Sequence, residues 1–175
     1  MNGEYDLWDT GKQYSSDHLH IPYAGKALPA RTRCWWGVVV YDGEDMPSCG
    51  EPAYFETGKL NTRWEANWIS AWFMGKGANP QERENSMLMA PYLRKSFSLT
   101  APVRDARLYI CGLGYFEASI NGQKVGDDIL STAFTRYDKT VLYLTYDVTE
   151  LVKTGANAIG VVLGNGWYNC FAEDP

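Results

Sequence analysis

The sequence predicts an all-β protein built from short antiparallel strands in a sandwich or jelly-roll arrangement. Three observations lead there. Gly and Pro, 17 and 8 of them in 175 residues, recur at intervals too short for a helical core. Between them, apolar and polar residues alternate with a period of two. Aromatic residues make up 14% of the chain, with seven Trp and twelve Tyr, which suits flat packing between two sheets.

The first expected strand is His18–Ile21. A longer one covers Thr32–Tyr41 (TRCWWGVVVY), turns at Asp42-Gly43 and returns through Ala53–Glu56. Thr57-Gly58-Lys59-Leu60 then leads into a connector, so residues 1-60 are read as a first module. Residues 61-89 are the connector, holding Trp64, Trp68 and Trp72 and a polar surface loop from Gly75 to Met89. The three Trp recur every four residues, but Asn67 and Ser70 between them do not suit a helix core. Packing between modules fits them better.

Residues 90-175 form the second module. Its strands are expected at Leu93–Leu99, Ala106–Cys111, Phe116–Ile120, Lys124-Val125, Val141–Tyr146 and Ala158–Leu163. Asn121-Gly122 is the clearest local signal, since Asn-Gly favours the type I′ turn of a tight hairpin. Before it, Phe116, Ala118 and Ile120 alternate with Tyr115, Glu117 and Ser119, giving one apolar and one mixed face. Glu150-Leu151-Val152-Lys153, stopped by Gly155, predicts a single helical turn.

Composition narrows the function classes. The net charge is −5, with acidic and basic residues interspersed, so there is no basic face for nucleic acid. No apolar run approaches the roughly 20 residues of a membrane span. Neither a nucleic-acid nor a membrane partner is expected. Met1-Asn2-Gly3-Glu4-Tyr5-Asp6 is acidic and lacks an apolar h-region, which tilts the expectation for the chain as given towards the cytoplasm. Cys34, Cys49, Cys111 and Cys170 form no C-x-x-C pair, so zinc and thioredoxin-like readings fail. Cys111, ending an apolar strand, reads as a small core residue.

The pieces in order resemble the N-terminal region of bacterial α-L-rhamnosidases. The matching series is LWDTGK (7–12), Tyr23-x-Gly25-x-x-Leu28, YFETG (54–58) and WEANWI (64–69). It continues through APYLRKSFSL (90–99), RLYICGLGYFEASINGQKVGDDIL (107–130), TRYDKTVLYLTYDVTELV (135–152) and GANAIGVVLGNGWY (155–168). Each piece alone is weak; the ordered series over nearly the whole chain is specific. The resemblance implies a partial fibronectin-III-like sandwich followed by a jelly-roll or galactose-binding-like β-sandwich. It also implies a parent enzyme that removes terminal rhamnose by inversion, with two carboxylates on a separate (α/α)₆ barrel. The chain would then be an accessory region whose partners are that catalytic domain and rhamnose-containing glycans or glycosides. Relative to the family, the first module is expected to begin partway through and the second to be cut after LGNGWY. Incomplete sheets would leave open edges, a route to self-association.

The candidate site residues are Asn165, Trp167, Tyr168 and Tyr115. In the functional reading, Trp or Tyr stacks on a sugar, Asn165 bonds a hydroxyl, and Gly164 and Gly166 permit close approach. In the packing reading, Trp167 plugs the sandwich or an interface with the barrel, which is the commoner fate of Trp. An independent carbohydrate-binding module and a purely structural sandwich therefore both stay open.

Other constellations carry less. Asp127-Asp128 cannot flank one bond, because adjacent residues of an extended chain face opposite ways, so a polar turn is the better reading. A ligand there would be a hydroxyl group or calcium; the sequence implies no cofactor and no metal. Glu82, Glu84 and Glu117 have no convergent partner. Gly112-Leu113-Gly114 precedes a strand, so it has no helix N-terminus for pyrophosphate. His18 and His20 would share one strand face but have no third ligand nearby.

Overall fold

The structure, a computed structural model, describes residues 6–71, 79–81 and 89–168. Trp72, Glu82, Glu84, Cys170 and nearly all of the loop expected from Gly75 to Met89 lie outside the described residues. The architecture is all-β, with every strand pair antiparallel. The chain divides into two compact units, residues 1–67 and 68–175.

In the first unit, the long strand expected over 32–41 is two strands. β1 (Arg33–Trp36) and β2 (Val39–Tyr41) are separated at Gly37-Val38 because they pair with different partners. β2 turns back through β3 (Pro47–Cys49), and β1 pairs with β4 (Ala53–Glu56) in the register Arg33↔Glu56 and Trp35↔Tyr54. The expected turn at Asp42-Gly43 is made, and the Asp42 carboxylate accepts from the amides of Glu44 and Met46, both at 2.9 Å.

The strand expected at His18–Ile21 does not form. His20 takes a left-handed φ of +55°, which interrupts an extended run, so the two histidines do not share a strand face. Upstream, two of the motif segments meet, with the Trp8 and Tyr23 rings 5.1 Å apart edge to face. Among the described residues of this unit, Cys34, Thr57 and Lys59 are buried. Thr57 ties two loops together: its amide donates to Thr32 O, and its hydroxyl donates to Pro29 O at 2.6 Å.

The second unit is a sandwich. Four strands, β5 (Tyr92–Leu99), β10 (Gly155–Gly164), β7 (Tyr115–Ile120) and β8 (Gln123–Lys124), form one sheet in that order. β6 (Arg107–Ile110) and β9 (Leu144–Asp147) form the other. The period-two reading of β7 holds. Phe116, Ala118 and Ile120 are buried with Val125 and Val148, and Leu108, Ile110, Leu144 and Val161 pack against them. Burying side chains of this size stabilises by roughly 1.5–3 kcal/mol each for the larger ones.

The hairpin is as the sequence predicts. Asn121 and Gly122 have φ of +52° and +84°, the two positive values a type I′ turn requires. β9 starts at Leu144, later than the expected Val141, and before it Thr135–Thr140 closes a turn of its own through the Thr135 hydroxyl to Thr140 O at 2.6 Å. A 3-10 turn at Thr149–Leu151 answers the expected helical turn. Cys111 falls just past β6 and is half-buried. Its thiol points at Leu142 O, 3.0 Å away, and burial pushes its pKa up.

Candidate functional site

The candidate residues sit where β10 runs out beside the start of β7. Gly164 pairs with Tyr115, the last rung of that ladder. Beyond it the chain turns at Gly166 (φ +53°), opposite Gly114 (φ +83°). The two glycines nearly touch. A Cβ on Gly166 would lie 2.9 Å from Gly114 Cα, and one on Gly114 would lie 2.4 Å from the Asn165 carbonyl oxygen. The close approach that Gly166 permits is thus between two backbone segments.

That crossing turns the next two side chains outwards. Trp167 is 63% exposed and Tyr168 54% exposed, so neither plugs the sandwich of this unit. They lean on two rings from the loop before β9. Phe134 meets Trp167 at 6.2 Å between centroids, and Tyr137 meets Tyr168 at 5.4 Å. Phe134 and Tyr137 are 5.8 Å apart. All three contacts are edge to face, the arrangement that ring quadrupoles favour. The result is a four-ring surface, with Phe134 itself 66% exposed. Tyr115 and Asn165 stand half-buried at its root, and Asn165 is already engaged in contacts.

Phe134 and Tyr137 were not visible as site residues in the sequence. They lie in an irregular loop with no periodicity, and only the fold brings them to residues thirty positions later. The one signal was two aromatics in a short polar stretch, TAFTRYD.

The same loop is anchored at its other end. The Tyr146 hydroxyl lies beside Asp128 and Ser131. Its pKa is pushed up to about 12, first by burial, then by the hydrogen bond to the Asp128 carboxylate and that group's charge. Phe116 N donates to Ser131 O at 3.2 Å, and Lys124 Nζ reaches Asp128 O at 3.3 Å. Asp128 is therefore a tether for the loop. Glu117 pairs with Lys124 at 3.2 Å. Of the connector tryptophans, Trp68 is exposed, and Trp64 lies beside Lys59, whose ammonium is 4.8 Å from the ring centroid. Among the described residues, no three His, Cys, Asp or Glu side chains gather where a metal ion could be held. No helix among them is long and apolar enough to cross a membrane.

As a chemical surface, the four rings offer apolar faces and edges with phenolic hydroxyls beside them. They offer no nucleophile, no paired carboxylates and no cation. What this surface presents is apolar ring area for contact.

Residues 101–174 match the family described as alpha-L-rhamnosidase N-terminal domain. Residues 1–61 match the family described as Rha78A-like, N-terminal immunoglobulin domain. An alpha-L-rhamnosidase of Formosa agariphila is 39% identical over 177 residues, covering 93% of this chain and 19% of that protein. One from an Alteromonas species is 36% identical over 168 residues, covering 94% of this chain and 18% of that protein. Among solved structures, the alpha-L-rhamnosidase from Dictyoglumus thermophilum superposes with a TM-score of 0.77 at 38% identity, over 91% of this chain and 19% of that one. The enzyme from Aspergillus terreus gives 0.68 at 26% identity, over 93% of this chain and 19% of that one. The chain spans about a fifth of the length of the curated relatives it matches.

Proposed function

Because this chain belongs to the N-terminal region of the α-L-rhamnosidases, we propose that it serves as a non-catalytic accessory region of such an enzyme. In this reading the parent releases terminal rhamnose, with its carboxylate pair on a catalytic domain outside these 175 residues. The first module ends near residue 60, the connector runs to about residue 89, and the second module carries the surface of interest. The observation that supports the reading is the extent of the match: most of this chain aligns with only 19% of a rhamnosidase.

Within that role, the second unit contacts carbohydrate through Trp167 and Tyr168, with Asn165 and Tyr115 at the root of the surface. Their exposure supports this, because apolar ring faces left in water are the usual platform for a pyranose. A second reading rests on the same rings. Four aromatics packed edge to face can equally be one half of an interface, covered by the catalytic domain of the parent.

The test is a rhamnose titration by calorimetry, with an aryl rhamnoside hydrolysis assay on the same sample. Saturable binding without hydrolysis supports the sugar-contacting role. No binding and no hydrolysis supports the interface. Rhamnoside turnover by this chain alone would overturn the accessory assignment.

A further inference from the structure

The four-stranded sheet of the second unit ends on β5, and its outer edge is open. In the order β5-β10-β7-β8, no strand among the described residues pairs with that side of β5. The opposite end of the sheet is blunted by shortness, since β8 has only two residues. β5 has eight, Tyr92–Leu99, with no Pro and no break in its register with β10. A long unbroken edge of this kind is a template for another strand.

The groups on that edge follow from one hydrogen bond. Leu163 N donates to Pro91 O at 3.0 Å, so the carbonyl of residue 91 faces β10. Antiparallel ladders alternate, so Leu93, Lys95, Phe97 and Leu99 also spend their amides and carbonyls on β10. Those of Tyr92, Arg94, Ser96 and Ser98 point away from β10, and all four residues are exposed. The side chains divide the same way. Ile159 and Val161 pack on the core and pair with Lys95 and Leu93, which puts the odd-numbered residues of β5 on the core face. Leu93, Phe97 and Leu99 are half-buried there, so apolar side chains run out to the edge, with Lys95 exposed among them.

Charge decides what fits. A second copy laid antiparallel must set outward-facing residues opposite outward-facing residues, which leaves a few two-fold registers. Centred on Arg94 or on Lys95, the strand sets a cation directly against its own counterpart, which is unfavourable. Centred on Phe97, only residues 95–99 of the two strands overlap. Centred on Ser96, residues 93–99 overlap, Leu93 stands opposite Leu99, Lys95 opposite Phe97 and Arg94 opposite Ser98. That register continues the apolar strip across the junction and gives each Lys95 an aromatic ring to lie along. The two copies of Lys95 stand only diagonally, about 7–8 Å apart.

We propose that β5 is a dimer edge. Two copies of this chain join antiparallel, β5 to β5, with Ser96 on the two-fold axis, so that one sheet runs through both. Ser96 exchanges both backbone hydrogen bonds with its counterpart, and Arg94 and Ser98 exchange theirs. This gives the self-association expected of open edges a strand and a register. It uses neither Trp167 nor the other rings of the four-ring surface, and it holds whichever partner those rings take.

The test is sedimentation equilibrium of the 175-residue chain from micromolar to millimolar concentration, under reducing conditions. The expected result is a monomer–dimer equilibrium, with the average mass approaching twice that of the monomer. Ser96→Pro removes an outward amide and leaves the β10 ladder whole, so it should weaken association about tenfold or more at unchanged far-ultraviolet dichroism. Cysteine crosslinking checks the register without depending on that variant. Oxidised Ser96→Cys should give a disulfide-linked dimer, since its Cα atoms would lie about 5.5 Å apart. Arg94→Cys, whose copies are four residues out of register, should crosslink no more than the unsubstituted chain. Three results would overturn the proposal: a monomer at every concentration, a folded Ser96→Pro that dimerises as tightly as the original, or equal crosslinking by the two cysteine variants.

Discussion

The Asn121 side-chain amide donates to Asn157 Oδ1 at 2.9 Å, joining the β7–β8 hairpin to the start of β10. Neither amide stops there. Asn121 also donates to Leu151 O and accepts from Ala158 N. Asn157, 4% exposed, accepts from Lys153 N and donates to Lys153 O and Gly155 O. Two side chains thus satisfy the backbone of the 151–155 turn, which has little regular ladder of its own.

Removing the inner member should be costly. Asn157→Ala leaves the Lys153 amide and carbonyl and the Asn121 amide without that partner, at a side chain that is itself buried. The expected loss is about 2–3 kcal/mol, from the usual 1–3 kcal/mol penalty for orphaned buried groups. Urea unfolding followed by far-ultraviolet dichroism would measure it. A loss under about 0.5 kcal/mol would mean that water reaches the turn.

Glycine substitutions separate steric from conformational cost. At Gly122 a Cβ meets nothing within 4 Å, so Gly122→Ala costs only the left-handed φ of +84°, about 1 kcal/mol. At Gly114 the φ is similar, +83°, but the Cβ would sit 2.4 Å from the Asn165 carbonyl oxygen. Gly114→Ala should therefore cost roughly 3 kcal/mol or more and move the Trp167 turn. Equal losses in parallel denaturation curves would contradict the backbone crossing.

The contrast between these glycines also marks what the sequence disclosed. Asn121-Gly122 was readable because a type I′ turn is decided by two adjacent residues. The alternation in 115–120 was readable because burial follows pleat. Gly114 and Gly166 meet only through the pairing of β7 with β10, which adjacent residues do not encode. The same limit explains the long strand expected over 32–41. Its composition is uniformly strand-like, but β1 and β2 pair with different partners, and partner choice is non-local. Trp167 and Tyr168 were legible as candidates by residue type, whereas Phe134 and Tyr137 joined them only through tertiary structure.

Tyr146 gives the molecule an alkaline signature. Its pKa in the folded chain, about 12, stands above the ordinary 10, so the unfolded chain loses this proton first. The contribution is fully present below pH 10 and is lost as pH rises from about 10 to 12. With solvent screening allowed for, the loss is on the order of 1 kcal/mol. Tyr146→Phe should be about 1 kcal/mol less stable at neutral pH, from the lost hydrogen bond to Asp128. That deficit should shrink between pH 10 and 12. Because the other tyrosines titrate in both proteins, the difference between the two curves isolates this residue, and a constant difference would refute the coupling.

The four-ring surface makes opposite demands on stability and binding. Trp167 is mostly in water, so Trp167→Ala should change stability by less than about 1 kcal/mol, chiefly through its edge contact with Phe134. A double-mutant cycle of Phe134→Ala with Trp167→Ala should return a coupling of about 0.5–1.5 kcal/mol, the range for such ring pairs. If the rings form a sugar platform, Trp167→Ala abolishes rhamnose binding in calorimetry while the unfolding curve barely moves. If they are half of an interface, the same substitution leaves this chain unchanged in both assays and instead lowers the thermal stability of the intact parent enzyme. A large stability loss in the isolated chain would contradict the exposure of Trp167 on which both readings depend.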